Sequence, residues 1–418
     1  DIRPIDLIES TGIERVAQGN VQYLCFEGGG GKGIIFLGAV KELERRGVLT
    51  YDRYRLAPNG QIRGIAGSSA GALTAVLLSC GYNARYLQRL VLGTSGNSYT
   101  PAFNFNRFFD LPTSSMPDPT PAGCRNSSRA WAWRGVGAAL SSALPSAWIL
   151  ASRVNAASDA KMKIGAYPTQ YMLNLIRQWG TFSGCASHNL FNELIARQAA
   201  RRAGRSNKHA EYRNLTFAQH YRLFGCRLVL TGSNFSTGKT GFFSAETTPN
   251  FPVAAAARIS MGLPLIFKPM VISSAKASQY AARSNNPRNM DARSMRGVWV
   301  DGGYFNNLPQ RAFSHYRNGF DRTLGFSLQG YGSERRRIGN LAEFLLAYVN
   351  HGLFGGGESQ VARSTGVAEN VVPLVAGDRS FQIGTTDFSF STASDKAAVR
   401  RLIANAQRDT ARYFSTSG

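Results

Sequence analysis

Residues 21–33 read VQYLCFEGGGGKG, and residues 61–71 read QIRGIAGSSAG. In both stretches a short run rich in strand-forming residues ends in a glycine-rich turn. An apolar helical pattern follows each turn, over residues 34–46 in the first case and 72–80 in the second. Two successive strand–turn–helix units predict an α/β fold whose parallel sheet carries its ligand site at the carboxyl ends of the strands.

The rest of the chain returns to this pattern after a long interruption. Further strand patterns and one helical run lie at residues 226–231, 298–300, 323–328 and 253–261. Residues 93–180 are rich in Ser, Asn, Pro and aromatic residues and break the pattern. We therefore predict a lead-in at 1–20 and one α/β domain over 21–418 that carries an insertion at about 93–180.

The composition of the 418 residues excludes several classes of protein. With 43% hydrophobic and 17% charged residues the chain is neither disordered nor a coiled coil, and its 44 glycines follow no collagen-like period. The 48 Lys and Arg against 25 Asp and Glu give a formal net charge of +23. This charge predicts an anionic partner, either a phospholipid surface or nucleic acid, without choosing between them.

Residues 135–152 form a stretch of 18 residues without charge inside the insertion. Its length barely reaches that of a membrane-spanning helix, and Pro145 interrupts it. A membrane span is therefore the least favoured interpretation. A lid or a segment that inserts into a membrane surface, and an ordinary buried helix, both stay open. No signal peptide is evident at residues 1–4.

The cysteines are few, odd in number and far apart, at Cys25, Cys80, Cys124, Cys185 and Cys226. No CxxC motif and no Cys/His pair with zinc spacing occurs among them. We predict buried free thiols in a reducing compartment rather than a disulfide framework.

The first glycine-rich turn, residues 27–33, has three interpretations. It matches G-x-G-x-x-G through Gly28, Gly30 and Gly33, which is a weak sign of dinucleotide binding. A Walker phosphate loop is excluded because Gly33, rather than Ser or Thr, follows Lys32. Alternatively, the backbone N–H groups of the turn form an oxyanion hole at a helix N-terminus.

The second turn matches G-x-S-x-G over Gly67–Gly71, between a strand and a helix, which is the context of a nucleophile elbow around Ser69. A nucleophilic serine needs a base. No histidine stands in a glycine-rich turn at a strand end; the chain has His188, His209, His220, His315 and His351. A third turn, Asp301-Gly302-Gly303, follows an apolar strand and offers a carboxylate instead, although an Asp here is also a common turn former.

Together the three turns resemble the patatin-like phospholipase family, in which an acidic residue with a glycine-rich oxyanion loop, G-x-S-x-G and D-G-G occur in this order. Further similar segments lie at residues 255–264, 306–309 and 386–388. The resemblance covers roughly residues 20–92 and 180–415, and residues 93–180 match nothing recognisable. Glu27 stands where the family usually has Asp.

The resemblance implies a three-layer α/β/α fold with a mostly parallel central sheet. It also implies a serine hydrolase of the phospholipase A type that cleaves fatty-acyl esters of membrane phospholipids without a metal or other cofactor. Ser69 is the implied nucleophile and Asp301 the implied general base. The implied oxyanion hole and supporting glycines are Gly28, Gly29, Gly30, Gly31, Lys32 and Gly33, with Gly67, Gly71, Gly302 and Gly303.

The expected partner is an anionic phospholipid membrane surface. Related secreted bacterial enzymes further imply a bacterial source, an activating protein partner and action at a membrane surface from the cytoplasm or as a secreted effector. Basic residues that suit this surface, or a merely solvated face, are Arg197, Arg201, Arg202, Arg205, Lys208 and Arg335-Arg336-Arg337.

Four alternatives come from other classes of protein. A basic membrane-binding module that is catalytically silent or activated by a partner would explain the positive net charge without hydrolysing lipid by itself. An esterase acting on non-phospholipid esters would use the same catalytic residues on a different substrate. A nucleotide-dependent oxidoreductase would leave Ser69 and Asp301 unexplained. Nucleic acid is not expected, because no binding module is recognisable.

Overall fold

The computed structural model describes residues 15–92, 121–124, 168–282, 286–331, 370–384 and 393–415. Its strands are β1 (Tyr23–Phe26), β2 (Gly64–Gly67), β3 (Gly180–Phe182), β4 (Arg227–Asn234), β5 (Lys239–Phe243), β6 (Leu265–Phe267), β7 (Met270–Ile272), β8 (Gly297–Asp301), β9 (Thr323–Gln329) and β10 (Val371–Val375). Its helices are α1 (Phe36–Arg45), α2 (Ala70–Ser79), α3 (Ala84–Leu92), α4 (Pro121–Cys124), α5 (Pro168–Gln178), α6 (Cys185–Arg202), α7 (Phe217–Phe224), α8 (Val253–Ser260), α9 (Ser274–Tyr280), α10 (Ala292–Met295) and α11 (Ala393–Ser415).

The main sheet has the strand order β10-β9-β1-β2-β4-β8-β7, and β5 pairs with β4 outside this path. Strands β10, β9, β1, β2 and β4 run parallel, whereas β5 and β8 run antiparallel to β4. Phe26 pairs with Gly67 and Gly67 with Leu230, so β1 and β2 end side by side. The two glycine-rich turns that follow these strands therefore meet at one edge of the sheet.

Helical structure covers both faces of the sheet. Successive side chains of a strand point to opposite sides, so the residues of β1 belong to two different cores. Leu24 and Phe26 of β1 join a large core with α1, α2, α8 and α11. Tyr23 and Cys25 join a smaller core that Phe313, in the 3₁₀ helix Gln310–Phe313, closes from the other side. The predicted α/β class with a mostly parallel sheet between helical layers is confirmed.

The helices begin and end close to the predicted bounds, with one local difference. The predicted helix over 34–46 starts as a 3₁₀ helix at Gly30–Ile35 and becomes α-helical only at Phe36. In the second unit α2 is buried along its whole length, which explains its uniformly apolar sequence. Gly38 of α1 lies against the backbone of α11, where a Cβ would overlap the carbonyl oxygen of Ile403.

The prediction that all cysteines are free thiols was wrong for one pair. Cys124 of α4 and Cys185 of α6 form a disulfide across 61 residues of sequence. Such a pair carries no local spacing signal, because only the fold brings the two residues together. Cys25, Cys80 and Cys226 are free and buried.

The predicted uncharged stretch at 135–152 lies outside the described residues, and so does most of the insertion. None of the helices in the described ranges has both the length and the apolar character needed to cross a membrane. The division into a lead-in, one domain and an insertion stays a prediction.

Candidate active site

Ser69 lies in the sharp turn between β2 and α2. Its backbone adopts φ 50° and ψ −121°, a conformation with positive φ that non-glycine residues rarely hold without compensation. The flanking glycines permit the close approach of strand and helix. A Cβ on Gly67 would overlap the carbonyl oxygen of Gly71, and one on Gly71 would overlap that of Phe26. The turn therefore holds Ser69 where strand and helix approach so closely that only glycine fits at positions 67 and 71.

Asp301, the last residue of β8, faces this serine. The Ser69 hydroxyl donates to Asp301 Oδ2 at 2.8 Å, and the Gly303 N–H donates to Oδ1 at 2.8 Å. Burial of Asp301 raises its pKa from 3.8 to about 7, against the opposing effects of the Gly303 N–H, the Ser69 hydroxyl and the charge of Arg258. A carboxylate with this pKa, bonded directly to a hydroxyl, can accept its proton near neutral pH.

Two other serines hold the turn around Ser69 in place. The Ser69 N–H donates to Ser260 Oγ at 3.0 Å, at the end of α8. Ser68 Oγ donates to the carbonyl of Asn306 at 2.7 Å, which joins the turn to the segment that follows Asp301. Neither contact is predictable from the sequence, since each joins residues about 190 or more positions apart.

The glycine-rich loop lies directly beside Ser69, because a Cβ on Gly28 would lie 2.8 Å from Ser69 Cβ. The Gly28 N–H donates to the Asn307 carbonyl at 3.0 Å, and the Lys32 N–H donates to the Gly29 carbonyl at 3.2 Å. The N–H groups of residues 29–31 have no acceptor among the described residues. They lie at the start of a 3₁₀ helix, where amide dipoles favour a bound negative charge.

Glu27 and Asn307 hold this loop in place through hydrogen bonds. The buried Glu27 carboxylate accepts from the Leu328 N–H at 2.6 Å and from Asn307 Nδ2 at 3.2 Å. Asn307 Nδ2 also donates to the Gly28 carbonyl at 3.1 Å. The loop is thus tied both to β9 and to the segment that carries Asp301. In the sequence Asn307 is notable only as part of the similar segment 306–309, which gives no sign that it holds the loop.

The amide oxygen of Asn307 lies beside the Ser69–Asp301 pair. A Cβ on Gly303 would lie 2.5 Å from this oxygen and 3.1 Å from Asp301 Oδ1. The oxygen is buried and has no hydrogen-bond partner within the described part of the chain. A cavity of about 230 Å³ adjoins it and is lined by Glu27, Gly28, Gly29, Lys32, Asn307, Leu328, Gln329 and Gly330.

The histidines occupy other places. His220 contacts Ser79 at 3.0 Å and His315 contacts Glu246 at 2.9 Å. His188 contacts Asn189 at 3.3 Å and His209 lies 3.2 Å from Glu193, while His351 is outside the described residues. No described histidine is bonded to Ser69 or Asp301, and the Ser69 hydroxyl donates to the Asp301 carboxylate instead.

Two further features of the described residues concern metal binding and the predicted basic surface. No cluster of three or more His, Cys, Asp or Glu side chains suits a metal ion in the described ranges. The first basic cluster is partly neutralised: Arg197 pairs with Glu193 at 2.6 Å, and Arg205 with Glu211 at 3.1 Å. Residues 335–337 lie outside the described residues.

Comparison with known proteins gives one family and several distant relatives. A sequence model described as "Patatin-like phospholipase" matches residues 24–314, more than half of the chain. "Probable lipid hydrolase 463L" of Invertebrate iridescent virus 6 is 26% identical over 139 residues, which cover 33% of this chain and 37% of that protein. The match therefore spans little more than a third of that relative's length.

Several solved structures align with most of this chain, all at low TM-score and low identity. VipD from Legionella pneumophila has a TM-score of 0.43 and 17% identity, covering 95% of this chain and 67% of that one. The type III effector protein ExoU has a TM-score of 0.42 and 15% identity, covering 96% of this chain and 56% of that one. ExoU of Pseudomonas aeruginosa is also known in complex with SpcU. A bacterial source stays a prediction.

Proposed function

Because this chain belongs to the patatin-like phospholipase family, we propose that it is a lipid acyl hydrolase of the phospholipase A type. It cleaves fatty-acyl esters of membrane phospholipids through an acyl-enzyme on Ser69. The observation that carries the proposal is the 2.8 Å hydrogen bond from Ser69 Oγ to the fully buried Asp301 carboxylate.

Acylation follows from this contact. Asp301 accepts the proton of Ser69 as Oγ attacks the ester carbonyl carbon, and the carbonyl oxygen becomes an oxyanion. The N–H groups of residues 29–31, which no described residue uses, stabilise that charge. When the intermediate collapses, the ester C–O bond breaks, and the Asp301 carboxyl gives its proton to the departing lysophospholipid alkoxide. The fatty acyl group stays on Ser69.

Deacylation uses the same groups in reverse. Asp301 removes a proton from water, and the resulting hydroxide attacks the acyl-enzyme carbonyl. Collapse breaks the bond to Ser69 Oγ and releases the fatty acid, and the Asp301 proton returns to the serine. A pKa of about 7 supports both roles, because the carboxyl is then neither locked in its charged form nor locked in its neutral form.

Residues that do not touch the reacting atoms hold this machinery in position. Glu27 and Asn307 fix the glycine loop, and Ser260 fixes the backbone of Ser69. Their hydrogen bonds are buried, so each loss would leave an unsatisfied polar group next to the reacting centre. We assign them as positioning residues.

Membrane contact is part of the proposal. The net charge of +23 favours an anionic phospholipid surface. Phe235 is 43% exposed at the carboxyl end of β4, and its ring lies 4.8 Å from Tyr304 and 5.9 Å from Phe305, just after the Asp301-Gly302-Gly303 turn. Exposed Phe side chains insert into the membrane interface, and Tyr suits it because its ring is apolar and its hydroxyl polar. This aromatic cluster would dock the site on lipid. Insertion by residues 130–152 and an activating protein partner stay predictions.

The test is hydrolysis of phospholipid vesicles followed by mass spectrometry of the products. We expect equal amounts of lysophospholipid and fatty acid from the native chain and none from Ser69→Ala. Ser278→Ala, which removes an exposed hydroxyl from α9, is the matched control and should keep full activity. Cleavage on the head-group side of the phosphate, or turnover by Ser69→Ala, would overturn the proposal.

A further inference from the structure

A second cavity lies at the opposite end of β4 from the proposed site. Its volume is about 210 Å³, and it is bounded by the start of β4, the chain that follows β5, and residues 311–316. Arg227 pairs with Gly64, at the amino end of β2, whereas Ser69 follows the carboxyl end of that strand. The cavity therefore belongs to the amino edge of the sheet and serves no step of the proposed reaction.

Positive charge predominates in this cavity. Arg227, Arg288 and Arg311 line it, and Glu246 is the one carboxylate in its described lining. Glu246 is already engaged, since it accepts from His315 at 2.9 Å and lies 3.6 Å from Arg288. Burial, together with the nearby arginines, keeps the pKa of His315 below its usual range despite this carboxylate. No ion pair with a described residue neutralises Arg227 or Arg311.

Aromatic rings hold the arginines in place. Arg227 Nε donates to the Tyr316 hydroxyl at 2.9 Å, and its guanidinium lies 4.8 Å from the centre of the Tyr316 ring. No described residue accepts from its terminal nitrogens. Arg311 lies 5.8 Å from the Phe320 ring. A guanidinium stacked in this way is pre-organised, and its planar fork matches the oxygens of a phosphate group.

We propose that this cavity binds the phosphate group of a phosphomonoester, carried by a soluble small molecule or by a lipid head group. The volume is below the range of about 300–1,000 Å³ that is typical of sites for drug-sized ligands, which favours a small phosphomonoester over a nucleotide. Arg227 and Arg311 are the principal phosphate ligands, and Glu246 keeps His315 and Arg288 oriented. The site is independent of the acyl hydrolase proposal.

Calorimetric titration of the full chain with glycerol 3-phosphate tests the proposal. We expect saturable binding that weakens at least tenfold in Arg227→Gln and again in Arg311→Gln, because each loses a charge-assisted contact. Arg317→Gln removes the same charge from an exposed position outside the cavity and is the matched control. A thermal unfolding curve for each variant separates lost binding from lost folding.

Vesicles of phosphatidylcholine with and without phosphatidic acid identify the source of the phosphate. A tenfold loss of phosphatidic acid binding in the same two variants assigns the cavity to a lipid head group. Loss confined to glycerol 3-phosphate assigns it to a soluble ligand. Absence of glycerol 3-phosphate binding would overturn the proposal. Equal weakening by Arg317→Gln would also overturn it, since general attraction by the net charge would then account for the binding.

Discussion

Replacing Gly28 with alanine perturbs the proposed oxyanion loop with a single methyl group. The added Cβ would lie 2.8 Å from Ser69 Cβ and would overlap the amide oxygen of Asn307. Carbon atoms do not approach closer than about 3.5 Å without repulsion, so the loop or the serine has to move. Asn307 cannot yield freely, because its Nδ2 binds both Glu27 and the Gly28 carbonyl.

The expected size of the effect follows from the displaced donors. Loss of one oxyanion donor costs about 10²–10³ in kcat, and a shift of the loop backbone moves the N–H groups of residues 29–31 together. We therefore expect at least a 100-fold fall in kcat on a short soluble ester, measured by release of p-nitrophenol. Vesicle binding should be unchanged, because the loop does not supply the membrane contact.

Gly19→Ala is the matched control, since a Cβ at that position meets nothing within 4 Å. It should keep native kcat and native thermal stability. A folded Gly28→Ala protein with kcat within threefold of the native value would refute this account of the loop. Loss of vesicle binding in parallel with kcat would likewise show that the loop binds lipid rather than stabilising charge.

Three further outcomes follow from the charges. With the pKa of Asp301 at about 7, kcat/KM on the soluble ester should rise between pH 5 and about 8 and level off above, because the base acts only when ionised; a profile flat across this range would contradict the assignment. A pKa raised from 3.8 to about 7 makes the buried carboxylate cost ~4 kcal/mol at pH 8 and nothing at pH 3, at ~1.4 kcal/mol per unit of pKa. Asp301→Asn should therefore raise Tm by several degrees at pH 8 but not at pH 3, and an equal Tm at pH 8 in differential scanning calorimetry would argue against a buried charge. Sedimentation with anionic vesicles should weaken about tenfold or more between about 0.1 and 1 M salt while soluble-ester turnover stays constant, as the screening length falls from ~10 to ~3 Å; salt-independent binding would argue against electrostatic attraction.

The sequence predicts those parts of the fold that are encoded locally. The turns around Gly28–Gly33 and Ser69 are recognisable in the sequence by their glycines, which the close approach of strand and helix requires. The general place of Asp301 at a strand end is likewise visible from the apolar run before it. Parallel pairing then brings separate turns to one edge, so the fold class and the neighbourhood of the site follow from the motif order.

Contacts between distant segments could not be predicted in the same way. The bond between Asn307 and Glu27 spans 280 residues, and the bond between Ser260 and the Ser69 N–H spans 191. The Cys124–Cys185 disulfide depends on the docking of α4 against α6. Each is decided by tertiary packing, for which the neighbouring sequence carries no periodic or spacing signal.

The nucleophile itself is tested most directly by labelling with a fluorophosphonate and mapping the modified peptide by mass spectrometry. This reagent forms a covalent bond with an activated serine oxygen and needs no lipid surface. The account predicts one adduct on Ser69, no adduct in Ser69→Ala, and labelling slowed at least 100-fold in Asp301→Asn. An adduct on another serine, or equal labelling rates in the native and Asp301→Asn proteins, would contradict it.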